Sequence, residues 1–168
     1  MSTSQVLVND KKEIFGWAMY DWANSAFYTT VGTVFLAPYV QALAADAAKA
    51  EFLARNGTEW SEASGSLIVH LAGIPLSPYS FMGYCISLSV FLQVLFLPIL
   101  GAIADYSHTR KLMMRVFATV GALMTIAMFF INGSIWWLGG LLFILANLSL
   151  GASIVFYNAY LPDIASED

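Results

Sequence analysis

Cysteine is nearly absent from this chain of 168 residues: Cys85 stands alone, which excludes an intrachain disulfide and any metal site built on several thiolates. Histidine is almost as scarce. His70 and His108 lack the spacing of two ligands on one helix, and there is no Gly-x-Ser-x-Gly, His-Glu-x-x-His or glycine-rich phosphate loop. With no visible nucleophile and base pair, the expectation is a protein that is not an enzyme and holds no cofactor or metal. Charge is the third shortage: Asp, Glu, Lys and Arg make up 11% of the chain, against about 25% in an ordinary globular protein. The net charge of −4 is spread over connecting segments, which gives nucleic acid nothing to bind.

Apolar residues fill that space, at 59% of the chain and a mean hydropathy of +0.70. A soluble domain of this size cannot hide so much apolar surface. Four stretches reach the roughly 20 residues needed to cross a bilayer, at about residues 14–40, 79–104, 112–131 and 135–157. They run without the alternation of a barrel, so helices are expected. The bilayer is thus the first expected partner. An N-terminal segment 1–13, an outer loop 41–78 and a tail 159–168 complete the expected organisation. Ala42-Leu43-Ala44 after the first run mimics a signal-peptide cleavage site, but the run far exceeds an h-region of about 7–15 residues.

Basic residues are distributed unevenly. Lys11, Lys12, Arg110, Lys111 and Arg115 flank one side of the expected spans, while the long loop on the other side carries only Lys49 and Arg55. Positive residues favour the cytoplasmic side, so both termini and the 105–115 loop are expected there, with a bacterial cell membrane as the expected location. Within the outer loop, alanine-rich 44–55 favours a helix that Asn56-Gly57 can end. Residues 66–75 turn apolar again but are too short to span; they are expected as an interfacial or re-entrant piece in which His70 is a bystander.

The first span carries the chemistry. Tyr20-Asp21-Trp22-Ala23-Asn24-Ser25 interrupts it with a carboxylate and an amide, and a charge deep in a membrane helix costs about 2.5–3.5 kcal/mol. Helical spacing sets Trp17, Asp21, Asn24 and Tyr28 on one stripe, with Ser25 beside it. With 1.5 Å of rise per residue, Asp21 lies roughly 12 Å along the helix, a turn or so inside the cytoplasmic boundary. A gating role, direct contact with a substrate or proton, and a purely structural role near the helix start all fit that position. Asn147 and Gly151 share a face of the fourth span and either line a site or pack tightly; Gln93 is expected to point towards other helices or a cavity. The methionines 113, 114, 124 and 128 fit lipid contact or packing better than a metal path.

A second motif, Gly101-Ala-Ile-Ala-Asp105-Tyr-Ser-His-Thr-Arg110-Lys111, closes the second span. Asp105 opposes the helix dipole there and calls for compensation from Arg110, Lys111 or another helix. Gly101 suits a close helix approach, Pro98 can kink the span, and Pro162 is expected to end the last helix. This loop resembles the signature of the major facilitator superfamily, Gly-x-x-x-Asp followed by basic residues, although Tyr106, His108 and Thr109 depart from it. The resemblance implies that Gly101, Asp105, Arg110 and Lys111 form a conformational latch acting on a helix of the second half.

Phe15-Gly-Trp-Ala-Met-Tyr-Asp-Trp-Ala-Asn-Ser-Ala-Phe27, Phe35-Leu-Ala-Pro-Tyr39, Gly83-Tyr-Cys-Ile-Ser-Leu-Ser89 and Phe156-Tyr-Asn-Ala-Tyr-Leu-Pro-Asp163 resemble the vacuole-effluxer-like branch of that superfamily. The resemblance implies an all-α membrane protein whose four transmembrane helices form the first part of a twelve-helix bundle. It also implies secondary transport of a small solute by alternating access, since eukaryotic members are associated with releasing amino acids from the vacuole. Asp21, Asn24, Ser25, Tyr28 and Asn147 are then the candidates for a substrate or proton path. The chain is expected to be a fragment or one part of a split transporter, with the remaining spans on another chain. The alternative is a four-span assembly or accessory module with no transport activity of its own.

Overall fold

The computed structural model describes residues 9–106 and 109–164, leaving aside the side chain of Asp163; His108 and the last four residues of the expected tail lie outside the described residues. The chain begins with one uninterrupted helical rod. Helix α1 (Lys11–Ala26) passes into a π-helical stretch (Phe27–Phe35) and then into α2 (Leu36–Asn56). The 46 residues from Lys11 to Asn56 make a rod of about 69 Å at the ordinary helical rise, more than twice the ~30 Å hydrocarbon core. The chain therefore does not turn at Val40, where the expected outer loop starts. Alanines carry the helix onward, and Gly57 stops it with φ of 70° and its N–H donating to the Leu53 carbonyl at 2.8 Å.

Three further helices follow: α3 (Pro78–Tyr106), α4 (Arg110–Ala127) and α5 (Trp136–Ile164). Together with the first rod they give, among the described residues, four helical stretches long and apolar enough to cross a membrane. The fold is an all-α membrane architecture in which α4 runs antiparallel to α5 while α3 and α5 run in the same direction. Pro98 and Pro162 both sit inside helices; α5 continues past Pro162 to Ile164 instead of ending at it. A proline removes one backbone bond and crowds the carbonyl four residues earlier, and α5 runs only to Ile164 beyond Pro162. Phe91, Val94, Ile99, Leu123 and Ile126 are exposed on α3 and α4, as suits contact with lipid rather than water.

Helix α5 is the centre of the bundle, packing against α4 most extensively and then against α3. Glycines make this possible. A Cβ on Gly140 would lie 2.5 Å from the Cys85 Sγ and 2.7 Å from the Phe81 ring, and one on Gly139 would lie 2.6 Å from Val40. The core concentrates at one end, where Val40, Ala44 and Ala48 of α2 meet Phe81 and Met82 of α3 and Trp136, Phe143 and Ala146 of α5. Tyr39 donates to the Ile131 carbonyl at 2.9 Å and Gln41 to the Tyr79 carbonyl at 3.1 Å, tying α2 to its neighbours there.

Residues 66–75 do not form a re-entrant piece. They contain most of an antiparallel hairpin, β1 (Val69–Leu71) and β2 (Ile74–Leu76), with Val69 opposite Leu76 and Leu71 opposite Ile74. Leu67 and Val69 are buried in the shared core, while Ile68 and Ile74 of the same segment stay exposed. The turn places Ala72 at φ 51° and Gly73 at φ 85°, the two positive values of a type I′ turn, for which Asn-Gly is preferred. Ala72→Asn is expected to stabilise the hairpin by about 0.5–1 kcal/mol, read as slower amide exchange across residues 69–76 with the helices unaffected.

Candidate functional site

Helix α1 buries no side chain fully. Its attachment to the bundle is a short series of contacts with α4 and α5 at the end where the chain enters and leaves. There the Asn9 N–H donates to the Ile164 carbonyl at 2.8 Å. Trp17 stacks on Tyr157 with ring centroids 4.3 Å apart, and its indole N–H donates to the Tyr157 carbonyl at 3.2 Å. One turn further, the Tyr20 and Ser153 hydroxyls form a short hydrogen bond, in which either can donate. At the outermost turn, Lys111 donates to both Glu13 oxygens at 2.6 and 2.7 Å, the Tyr160 hydroxyl donates to Glu13 at 3.3 Å, and the Lys111 ammonium stands 5.9 Å from the Tyr160 ring centroid.

This clasp couples three helices through one ion pair and the four aromatic residues Trp17, Tyr20, Tyr157 and Tyr160. Glu13 and Lys111 keep 32% and 42% of their side chains exposed, which limits the pair to about 1 kcal/mol or less. Lys111→Met is therefore expected to lower stability by no more than that, while loosening α1 from α4. A spin-label distance between α1 and α4 that broadens towards longer values would report the loosening.

Between α1 with its π-helical continuation and α4 lies a crevice of about 830 Å³, lined by Asn24, Phe27, Thr30, Arg115 and Thr125 among others. Asn24 thus faces a cavity. Asp21, Ser25 and Tyr28 do not line it; all three are exposed elsewhere on the rod. The expected single stripe is split, because neighbours on α5 take its flank: Trp17 is drawn onto Tyr157, and Asp21 stands beside it within electrostatic reach of the Tyr157 phenol.

Along the exposed face runs a column of hydroxyls four residues apart. Ser25 donates to the Asp21 carbonyl at 3.2 Å, Thr29 to the Ser25 carbonyl at 2.7 Å, and Thr33 to the Thr29 carbonyl at 2.7 Å. Thr33 also reaches the Tyr28 carbonyl at 3.0 Å, five residues back, the spacing of the π-helical stretch it occupies. Back-bonding lets hydroxyls sit in a membrane helix with their donors satisfied. It leaves the Asp21 carboxylate as the one charged group on that column.

Asn147 lies apart from this face. Its side-chain amide donates to Ser89 at 2.9 Å and its backbone carbonyl accepts from the Gln93 side chain at 2.9 Å, inside the contact between α3 and α5. Gly151, on the same face, leaves room for the Gln93 side chain. Of the two roles open to Asn147, the geometry favours packing, and Gln93 is turned inward with it.

The Asp105 loop is held through the side chain of Arg110. Arg110 donates to the carbonyls of Ala104 at 2.8 Å, Asp105 at 3.2 Å and Ala159 at 3.1 Å, so these bonds cap the end of α3 and reach α5. Lys111 is committed to Glu13. The Asp105 side chain is exposed, and a Cβ on Gly101 would meet nothing within 4 Å, so no described element makes the close approach expected at Gly101. The residues absent from the expected site are Glu13, Tyr20, Ser153, Tyr157 and Tyr160. Two tyrosines three residues apart near the C-terminal end of an apolar helix were the available signal for the last two.

The chain matches the family described as "Vacuole effluxer Atg22 like" over residues 9–168. It is 30% identical to autophagy-related protein 22-1 of Emericella nidulans, covering 91% of this chain and 29% of that protein. It is 30% identical to autophagy-related protein 22 of Pyricularia oryzae, over 90% and 24%, and 31% identical to autophagy-related protein 22-2 of Penicillium rubens, over 94% and 27%. The chain spans about a quarter of the length of these fungal relatives, which lend no support to the bacterial cell membrane expected from the sequence. No solved structure matches it. The match across the described helices and the four membrane-length stretches lead to one conclusion: this chain belongs to the vacuole-effluxer Atg22-like family.

Proposed function

We propose that these helices are the opening spans of a secondary transporter that releases a small solute, in keeping with the amino acids implied by the family resemblance, by alternating access. One observation carries the reading: a helix long enough to cross a membrane exposes Asp21 on a column of back-bonded hydroxyls. An ionised carboxylate is costly against hydrocarbon, so that face calls for water, a solute or further protein. We place the end holding Lys11, Lys12, Arg110, Lys111 and Arg115 in the cytoplasm on the distribution of positive charge. In this arrangement Asp21 and Ser25 face the solute path, and the Glu13–Lys111–Tyr160 clasp secures the cytoplasmic end of the same helix.

Water access tests the reading. With Cys85→Ala removing the natural thiol, Asp21→Cys and Ser25→Cys are expected to react with a membrane-impermeant thiol reagent, and Val94→Cys on the lipid-facing side of α3 is not. Protection of both path positions in the assembled protein, at the level of Val94→Cys, would refute a solute path along α1 and favour an accessory module packed against a partner.

A further inference from the structure

Contacts between the helices define two levels of the bundle. At one, Lys111 pairs with Glu13 at 2.6 Å, and Arg110 donates to the carbonyls of Ala104 and Ala159 at 2.8 and 3.1 Å. At the other, Tyr39 donates to the Ile131 carbonyl, Gln41 donates to the Tyr79 carbonyl, and Val40 lies against Gly139. The helical rise separates the levels by about 29 Å from Lys111 to Phe130 and by about 35 Å from Trp137 to Tyr160. That is the hydrocarbon core of about 30 Å with part of its headgroup margins.

The two levels differ in chemistry. The first carries the cations Lys11, Lys12, Arg110 and Lys111. The second carries exposed rings: Phe129 and Phe130 are 85% and 68% exposed and meet edge-on with centroids 5.5 Å apart, and Tyr39, Tyr79 and Trp137 are exposed at the same height. Aromatic side chains concentrate where a bilayer meets water. This surface also continues into the exposed apolar flanks of α3 and α4 at Val94 and Leu123.

Beyond Val40 the first rod goes on, and Glu51 stands about 16 Å further along it. There its Oε2 accepts the His70 backbone N–H at 3.1 Å. His70 pairs with Pro75 across the hairpin, and the chain then returns to Pro78 at the start of α3. The turn at Ala72 and Gly73 is thus the part of the hairpin furthest from the level of Tyr79.

We propose that Tyr39, Tyr79, Phe129, Phe130 and Trp137 form a belt seated in the headgroup boundary of the leaflet opposite the basic end, and that α2 beyond Val40 projects from this belt with the hairpin clear of lipid. The partner of the belt is the phospholipid bilayer. This placement does not depend on whether the protein transports a solute.

Spin labels on single cysteines test it, in a Cys85→Ala background reconstituted in phosphatidylcholine vesicles. Depth is read as the ratio of collisions with oxygen, which dissolves in lipid, to collisions with a charged nickel chelate, which does not. The positions are exposed ones: Leu123→Cys for hydrocarbon, Tyr79→Cys, Phe130→Cys and Trp137→Cys for the belt, and Leu53→Cys and Ile74→Cys for the projecting part. The ratio at Leu123→Cys is expected to exceed that at Leu53→Cys and Ile74→Cys by at least about tenfold, because hydrocarbon excludes charge, with the three belt positions grouped between. Either projecting position matching Leu123→Cys would overturn the proposal, as would belt positions scattered in depth. Shielding of the belt from both reagents would also overturn it, by assigning that surface to a protein contact. The unsubstituted protein supplies a check that needs no label: the amides of Ala72 and Gly73 are expected to exchange freely with water, and protection there equal to that of the α4 interior would overturn the placement of the hairpin.

Discussion

Gly140→Val lowers the stability of the bundle by about 2–3 kcal/mol, the upper part of the range for overpacking a tight interior. The reason is local. The first added carbon already meets Cys85 and two atoms of the Phe81 ring at 2.5–2.8 Å. Phe81 cannot swing aside, because it is 4% exposed and packs edge-on against Trp136 with centroids 4.8 Å apart. Relief must come from moving α3 away from α5, which also strains the Asn147–Ser89 and Gln93–Asn147 bonds further along the same contact. Gly101→Ala supplies the contrast: with open space around it, an alanine there gains up to about 1 kcal/mol of helix propensity. Thermal unfolding in detergent micelles, followed by helical circular dichroism, should show the two substitutions moving the midpoint in opposite directions. Equal, small shifts would mean that the contact between α3 and α5 is looser than the close approach at Gly140 implies.

The helical membrane architecture was legible because its signal is long and redundant. Four apolar runs with few charges admit little other than spanning helices. The first-helix polar group was legible for the opposite reason: Asp21 is an exception whose cost demands an explanation. The hairpin was not legible, because six apolar residues too short to span carry no periodicity that separates a strand pair from an interfacial segment. Nor was the continuity of α1 with α2, since Val40 looks like the end of an apolar run although it is fully buried within a longer helix.

Within the candidate site, helical phase placed Trp17, Asp21, Asn24 and Tyr28 on one stripe but could not say where α5 would press upon it. Trp17 goes to Tyr157, Asn24 to the crevice, and Asp21 and Tyr28 remain exposed. Glu13 and Lys111 lie 98 positions apart, and a pairing at that distance is a property of the fold. Lys111, placed by the family resemblance in a latch with Asp105, is turned by the bundle across to Glu13 of α1. His70, expected as a bystander, is drawn to Glu51 because the alanine-rich segment before it continues as helix.

Asp21 bears most directly on function. Asp21→Asn preserves size and much of the hydrogen-bonding capacity while removing the charge, so membrane insertion and the stacking of Trp17 on Tyr157 should persist. If the carboxylate meets a solute group or a proton, losing a charge-assisted interaction of about 1.5–3 kcal/mol reduces efflux by about tenfold or more. The decisive measurement for the proposed function is release of labelled amino acids from vesicles containing the protein, comparing Asp21 with Asp21→Asn at matched protein content. Release that depends on the protein and falls at least about tenfold in Asp21→Asn is the predicted result; equal release by both proteins would contradict a solute path along the first helix.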